Sequence, residues 1–190
     1  MSIKLDHIYR VNQILLEMLR DRGSNIEENI FASGLSLDNF RILAKSFNNA
    51  SQFNFMVDGK EVHFHFFRKK KSKDINKKDI QNYIKMHQYS TILVIFNDEL
   101  PDNLPPIIRN TEIFHYKQLL YNPSHHDLVP KHEILINRDE CPYNDDELPI
   151  IDVNDIMARY LGLKIGNICK ITRINKNCGA NIYYRICKYI

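Results

Sequence analysis

The chain has 190 residues, of which 44% are hydrophobic and 26% are charged, a composition typical of a globular protein. Its 26 basic and 23 acidic side chains leave a net charge of +3, which excludes a polycationic nucleic-acid-binding tail. The length allows one domain or two small ones. The first residues do not resemble a signal peptide, and no apolar run reaches the roughly 18 residues of a membrane helix, so we expect an intracellular protein.

Two amphipathic helices are predicted at the start of the chain. Apolar residues recur at spacings of three and four from Leu5 to Arg22, and Gly23 is a suitable residue to end this helix. The same spacing over residues 37–43 predicts a second, shorter helix, with Ser36 as its N-cap.

The pattern then changes to the alternation of a β-hairpin. Apolar and polar residues alternate over residues 52–67, and Asp58-Gly59 supplies a tight turn between two strands. His63 and His65 fall on one face of the second strand. Because no third metal ligand is evident, we interpret this face as a solvated strand face.

A second helix-and-strand pair follows the hairpin. Asp74 or Asn76 can cap a helix that runs to about His87, and the continuous apolar run at 91–96 is typical of a buried strand. Together with the hairpin, these elements predict a βαβ-like core with 91–96 as its central strand.

The rest of the chain predicts a proline-rich loop, a domain boundary and a second small domain. Three prolines at 97–106 indicate an exposed loop, and one more short strand follows. The turn-rich residues at 122–124 are the best candidate for a boundary. Beyond it, a helix is predicted over 152–161, ended by Gly162, followed by two strands joined by a turn at 177–179. We therefore predict an α+β protein with domains 1–121 and 122–190, the first with helices around a small mixed sheet.

The histidines and cysteines do not predict a metal or any other cofactor. His126 and His132 are separated by five residues and interrupted by Pro130, which does not bring ligands onto one face. We interpret them as hydrogen-bonded structural histidines. The four cysteines form no CxxC pair and are predicted to be free, mostly buried thiols.

A metal-dependent nuclease is an alternative for the N-terminal framework. Such cores use an Asp followed by Glu-x-Lys on a separate strand. Here Asp58 lies only three residues before Glu61, and His63 occupies the position of the lysine. The pattern disfavours this alternative.

Positive charge is concentrated in one predicted loop. Its basic run includes Lys69, Lys70, Lys71 and Lys73. Lysines in such a run either form a solvated loop or contact a polyanion, where they neutralise phosphates without reading sequence. Both interpretations remain open at this point.

Several sequence blocks in the last third resemble one known family. The blocks at 125–133, 147–149, 155–166, 169–179 and 184–186 are similar, in this order, to the assembly domain of the fifth subunit of eukaryotic DNA-directed RNA polymerases. Archaeal polymerases have a small subunit that corresponds to this domain alone. Such an ordered set of blocks is more specific than any single short motif.

The N-terminal part resembles the jaw domain of the eukaryotic members of this family, through residues 8–23 and 35–40. Departures include Ile156 where the family has proline after Asp155. These departures suggest a divergent member, and a large DNA virus is a candidate source alongside a cell.

The resemblance implies a non-catalytic subunit of a multisubunit polymerase whose active site lies in other subunits. The C-terminal domain is expected to dock on the largest subunit, and the jaw domain to form the lower jaw near the downstream DNA duplex. Other polymerase subunits and transcription factors are further expected partners, and a transcription-factor docking module is the second alternative. No membrane is expected to be involved. Localisation is expected to be nuclear in a cell, or in the cytoplasmic viral factory and the virion of a virus.

The resemblance also assigns subunit-interface or scaffold roles to the residues that match its blocks. These are His126, Leu128, Val129, Pro130, Lys131, His132, Arg159, Tyr160, Gly162, Arg173, Gly179 and Arg185. Family members approach downstream DNA through the loop after the central strand, which here is acidic. The lysines at 69, 70, 71 and 73 are therefore the substitute DNA-facing candidates.

Overall fold

The computed structural model describes residues 5–26, 35–45, 50–67, 75–87, 90–101, 104–175 and 179–190. The chain divides into two compact units, Met1–Tyr121 and Asn122–Ile190. Each unit contains helices and one mixed sheet, which confirms the predicted α+β class.

Two helices open the N-terminal unit, as predicted. Helix α1 spans Leu5–Asp21 and buries one apolar face, and helix α2 spans Leu37–Ala44. Gly23, at φ +82°, follows α1 in the left-handed conformation that glycine adopts without strain. The hydroxyl of Ser36 accepts a hydrogen bond from the Asn39 amide at 3.3 Å and so caps α2.

The predicted hairpin and βαβ unit are both present in a five-stranded sheet. Strand β1 (Phe55–Val57) pairs with β2 (Lys60–His65) in an antiparallel manner. Asp58 and Gly59 both have positive φ, which matches the twist of a two-residue hairpin turn. Helix α3 (Lys77–Met86), capped by Asn76, connects β2 to the parallel strand β3 (Ser90–Ile95).

The far edge of this sheet is formed by a second hairpin, of which the sequence predicted the second strand, β5, but not the first. Strand β4 (Ile107–Ile108) pairs with β5 (Thr111–His115), and β5 lies parallel to β3. The order is β1-β2-β3-β5-β4, with β3 in the centre. Arg109 and Asn110 make the turn with positive φ values of 48° and 67°, an uncommon conformation for arginine.

The solvated histidine face predicted on β2 is wrong. Strands β1 and β3 pair with the two edges of β2, and other side chains pack on both of its faces. Val62 and Phe64 are fully buried on one face, and His63 is 7% exposed on the other, where it contacts Tyr83 of α3. A single strand sequence does not show that a helix will cover its polar face.

The proline-rich loop after β3 is only partly exposed. Asp98 and Glu99 face solvent, but Leu100 and Leu104 pack against the core between α3 and the sheet. Asn97 is 1% exposed, and its amide group bonds to both the N–H and the carbonyl of Phe67. The loop is therefore anchored at its start.

The C-terminal unit is built on a four-stranded sheet. Its elements are β6 (Lys131–Ile134), β7 (Ile150–Asp152), helix α4 (Ile156–Leu161), β8 (Ile168–Asn175) and β9 (Gly179–Lys188). The order is β6-β8-β9-β7, with β7 parallel to β9 and the other pairs antiparallel. Short 3-10 turns occur in the two units, at Ala50–Phe53, Tyr116–Leu119, Pro123–His125 and Arg138–Glu140.

The paired strands predicted at the C-terminus are confirmed, but the preceding helix is shorter than predicted. It begins at Ile156, because Oδ1 of Asp155 accepts from the amides of Met157 and Ala158. Asp152 belongs instead to β7, which the sequence did not predict. Gly162 ends the helix at φ +71°, as predicted.

Candidate functional site

A tight loop before β6 contains the first block of predicted interface residues. The Leu128 amide donates to Nδ1 of His126 at 3.2 Å, and the Val129 amide donates to the His126 carbonyl at 2.8 Å. Nδ1 of His132 donates to the Pro130 carbonyl at 2.6 Å. These bonds accord with the interpretation of both imidazoles as hydrogen-bonded structural groups.

The same loop also presents side chains to solvent. Leu128 has 85% of its surface exposed, although it is a large apolar residue. Lys131 is exposed and lies 2.8 Å from the carboxylate of Glu133 on the same face of β6. The loop thus combines an internal hydrogen-bonded frame with an accessible outer surface.

Helix α4 contributes residues that hold the C-terminal unit together. Tyr160 is 3% exposed, and its hydroxyl accepts a hydrogen bond from Nδ2 of Asn122 at 2.9 Å. Arg159 is half-buried on the same helix, and Gly162 forms its C-cap. The burial of Tyr160 and the capping position of Gly162 place both residues within the scaffold of the unit.

The β8–β9 hairpin carries the remaining predicted residues and borders a groove of about 310 Å³. Arg173 and Arg185 lie in its wall, and Gly179, at φ +75°, starts β9 at the hairpin tip. The lining also includes Tyr143, Glu147, Leu148, Pro149, Ile171, Ile182, Tyr183 and Tyr184. The structure therefore brings the two arginines next to the 143–149 segment, which is distant from them in sequence.

The groove has a positive and aromatic character. The guanidinium carbon of Arg173 lies 5.5 Å from the centre of the Tyr183 ring, a cation–π distance. Arg185 donates to the Ile150 carbonyl at 3.0 Å. The carboxylate of Glu147 accepts from the Asn144 amide at 2.9 Å and is the acidic group in the lining.

Several groove residues were missed by sequence reasoning. Ile182 and Tyr183 are 50% and 49% exposed, and Tyr143 is 53% exposed. The alternation along 182–186 indicated a strand, but it did not indicate that most of this strand would have no neighbouring strand on one side. The Leu-Pro block at 148–149 was the one available signal for the opposite wall.

The N-terminal unit contains a compact polar cluster between β2 and α3. Nε2 of His63 lies 3.0 Å from the Glu61 carboxylate, and its Nδ1 lies 3.0 Å from the Tyr83 hydroxyl. The Tyr83 ring stacks on His87 and packs at a tilt against His65, in each case with ring centres 4.1 Å apart. Nδ1 of His87 bonds to the Tyr83 carbonyl at 3.0 Å.

Burial dominates the pKa values in this cluster. It lowers the pKa of His63, although the neighbouring Glu61 opposes this shift. It lowers the pKa of His65 to about 4, helped by repulsion from His87 and His63. Burial also raises the pKa of Tyr83 to about 12. The imidazoles of His63 and His65 are thus neutral at physiological pH.

The cluster does not have the geometry of the nuclease alternative. Asp58 lies in the hairpin turn, and the Glu61 carboxylate is bonded to His63. Over the ranges that the structure describes, no group of three or more His, Cys, Asp or Glu residues could hold a metal ion. The histidines here serve as packed, hydrogen-bonded side chains.

Three of the four cysteines are free and buried, at positions 141, 169 and 187. Burial raises the pKa of the Cys169 thiol to about 11 and also raises the pKa of Cys187. Both are therefore protonated near neutral pH and poor nucleophiles. Cys178 lies outside the described residues, as do the DNA-facing candidates Lys69, Lys70, Lys71 and Lys73.

A comparison with known protein families gives a match to the C-terminal unit. Residues 121–187 match the family model described as RNA polymerase Rpb5, C-terminal domain. The matched residues make up most of the C-terminal unit, which is therefore similar to this family. The predicted resemblance of the chain to the fifth polymerase subunit is thereby confirmed.

A curated relative supports the same Rpb5 assignment. It is the protein of Dictyostelium discoideum named DNA-directed RNA polymerases I, II, and III subunit rpabc1, to which this chain is 39% identical over 82 residues. The match covers 40% of this chain and 42% of the relative. Divergence within the matched Rpb5-like segment is modest, and a viral source stays a prediction.

Among the residues described, there is no helix long and apolar enough to cross a membrane.

Proposed function

We propose that this chain is a non-catalytic subunit of a multisubunit DNA-directed RNA polymerase. The observation that carries the proposal is the Rpb5 C-terminal domain match over residues 121–187. The relative named as a subunit of RNA polymerases I, II and III supports it. The catalytic groups of such an enzyme then belong to other subunits.

We assign docking on the largest subunit to the C-terminal unit. The residues predicted for this role fall into two groups, one that maintains the scaffold of the unit and one that is exposed to a partner. Tyr160 is buried and Gly162 ends α4, and both maintain the shape of the unit. Leu128, Lys131 and Arg173 are exposed and available to a partner.

Affinity purification of the tagged full-length chain from its source tests the proposal. We expect the eluate to contain the polymerase subunits and to synthesise RNA on a DNA template. Chemical cross-linking is expected to join Lys131 of the C-terminal unit to the largest subunit. An eluate without polymerase subunits overturns the proposed function.

We further propose that the N-terminal unit is the lower jaw, near the downstream DNA duplex. Lys69, Lys70, Lys71 and Lys73 supply the positive charge for this interaction. They immediately precede α3, whose first turn adds the basic residues Lys77 and Lys78. The acidic Asp98 and Glu99 are exposed on the loop after β3 and would repel phosphate.

Replacement of Lys69, Lys70 and Lys71 by alanine in the assembled polymerase tests the DNA interaction. Binding of a downstream duplex is expected to weaken, and its salt slope to fall by about 1 for each phosphate that is no longer neutralised. A matched control replaces the exposed Lys45, Lys85 and Lys117, which removes the same charge elsewhere. Equal salt slopes for both triple variants reject the DNA role.

The same variants also measure the docking of transcription factors to this loop. Loss of binding of an acidic transcription factor, with unchanged duplex binding, favours the docking alternative over DNA binding.

The localisation proposed for the protein depends on its source. The name of the relative supports the nucleus in a cellular source. A viral source implies the cytoplasmic viral factory and the virion.

A further inference from the structure

One edge of the C-terminal sheet is open along most of β9. Strand β9 pairs with β8 over the whole hairpin, from Gly179 to Ile186. On its other side it pairs with β7 only from Ile186 to Lys188. Within the described part of the chain, no strand lies along this side of residues 179–185.

The direction of the backbone groups on this edge follows from two hydrogen bonds. The Ile186 amide donates to the Pro149 carbonyl beside β7, at 3.0 Å, whereas the Cys187 amide donates to the Asn167 carbonyl beside β8, at 2.9 Å. Successive backbone groups of a strand alternate in direction. The N–H and C=O groups of Ile182 and Tyr184 therefore point away from β8, toward the open edge.

The groove described above runs beside this edge. It is bounded by β9 on one side and by residues 147–149, which lead into β7, on the other. A strand added to β9 would thus lie end to end with β7. Exposed strand edges recruit extended segments through backbone hydrogen bonds, and the neighbouring side-chain pockets give specificity.

The charge of the groove indicates which side chains an added strand would carry. Arg173 and Arg185 provide two positive charges, and Glu147 provides one negative charge. Arg185 and Glu147 are each bonded to backbone groups of the unit, but the exposed Arg173 rests on the Tyr183 ring. An acidic side chain fits this excess of positive charge, with apolar neighbours against Ile182 and Leu148.

The geometry points to β9 as a strand-addition site, where an extended segment of another polymerase subunit, apolar with an acidic residue, pairs with Ile182 and Tyr184. This inference rests on the proposed function, because it names how the C-terminal unit holds its partner. The backbone of the partner segment completes a fifth strand of the sheet. Its acidic side chain meets Arg173.

Residue-resolved hydrogen exchange of the full-length chain, free and in the purified polymerase, tests the inference. We expect the amides of Ile182 and Tyr184 to exchange at least about tenfold more slowly in the complex. The Tyr183 amide is the internal control, because it points toward β8 and is already bonded in the free chain. Its exchange is expected to change much less.

Two charge variants provide an independent readout of affinity. Arg173→Glu is expected to weaken assembly with the co-expressed polymerase subunits by about tenfold or more. The control Lys164→Glu makes the same change of charge on an exposed residue outside the groove lining. It is expected to leave assembly within about twofold, since Lys164 precedes β8 and does not line the groove.

The outcomes separate this inference from the proposed function. If the chain assembles but Ile182 and Tyr184 exchange as fast as in the free chain, strand addition is overturned and the subunit function stands. If protection appears in the free chain as its concentration rises, a second copy occupies the edge, which also overturns the inference. If no polymerase subunit binds, the proposed function itself falls.

Discussion

Arg22, just beyond α1, forms a bidentate ion pair with Glu112 of β5. The two nitrogen–oxygen distances are 2.8 and 2.9 Å, and the side chains are only 10% and 20% exposed. The pair joins residues 90 positions apart in sequence. It joins the end of the first helix to β5, the strand next to the central strand β3.

Replacement of Glu112 by glutamine is expected to destabilise the N-terminal unit. The change removes the charge partner of a largely buried arginine, which costs about 2–4 kcal/mol. Urea unfolding of the full-length chain, followed by circular dichroism, measures the loss. The control Asp6→Asn breaks the exposed ion pair with Arg41 and is expected to change the midpoint little. Equal effects of the two changes would contradict the prediction.

Mild acid is expected to destabilise the N-terminal unit through its histidine cluster. The folded-state pKa of His65 is about 4, below the ordinary value of 6.5, and that of His63 is lowered as well. Below pH 6.5 the unfolded chain therefore binds protons that the folded chain does not. The stability contributed by the neutral imidazoles is fully present above pH 6.5 and is lost as pH falls toward about 4.

Urea midpoints measured between pH 7.5 and 4 check this dependence. The groups that face the two imidazoles are Glu61, Tyr83 and His87, of which Glu61 favours protonation of His63. His65→Phe keeps an aromatic ring against Tyr83 but removes one titration. It is expected to flatten the profile, and an unchanged profile would exclude His65 as a cause.

Asn97 is expected to be a stability determinant of the sheet. Its side chain is 1% exposed and bonds to the Phe67 amide at 2.9 Å and to the Phe67 carbonyl at 2.8 Å. Asn97→Leu leaves both backbone groups without this partner, at a cost of about 2–4 kcal/mol. Thermal unfolding measures the loss, and the exposed Asn154→Ala serves as a near-neutral control.

Asp155 is expected to stabilise α4 through its cap. Its Oδ1 accepts from the amides of Met157 at 2.8 Å and Ala158 at 3.2 Å. Asp155→Ala is expected to cost about 0.5–2 kcal/mol, whereas Asp155→Asn keeps an oxygen acceptor and most of that stability. Urea unfolding of the two variants checks the order, and equal losses would contradict a capping role.

Elements with strong local signals were predicted from the sequence. The periodic apolar face of α1 and the Asp58-Gly59 turn are local features, so neighbouring residues suffice to specify them. Strands β4, β6 and β7 were missed because they are two to four residues long. A strand this short has too few residues to show alternation, and its pairing partner comes from elsewhere in the chain.

The candidate site also has features that the sequence predicts and features that it does not predict. The blocks that resemble the Rpb5 C-terminal domain are ordered strings of residues, so the sequence by itself was enough to find them. It was also enough to predict the α+β class. Only the tertiary structure decided that α3 covers the His63 face, and that β9 leaves Ile182 and Tyr184 at an open edge. Burial and edge position depend on which distant strands and helices pack together, and no local pattern encodes that choice.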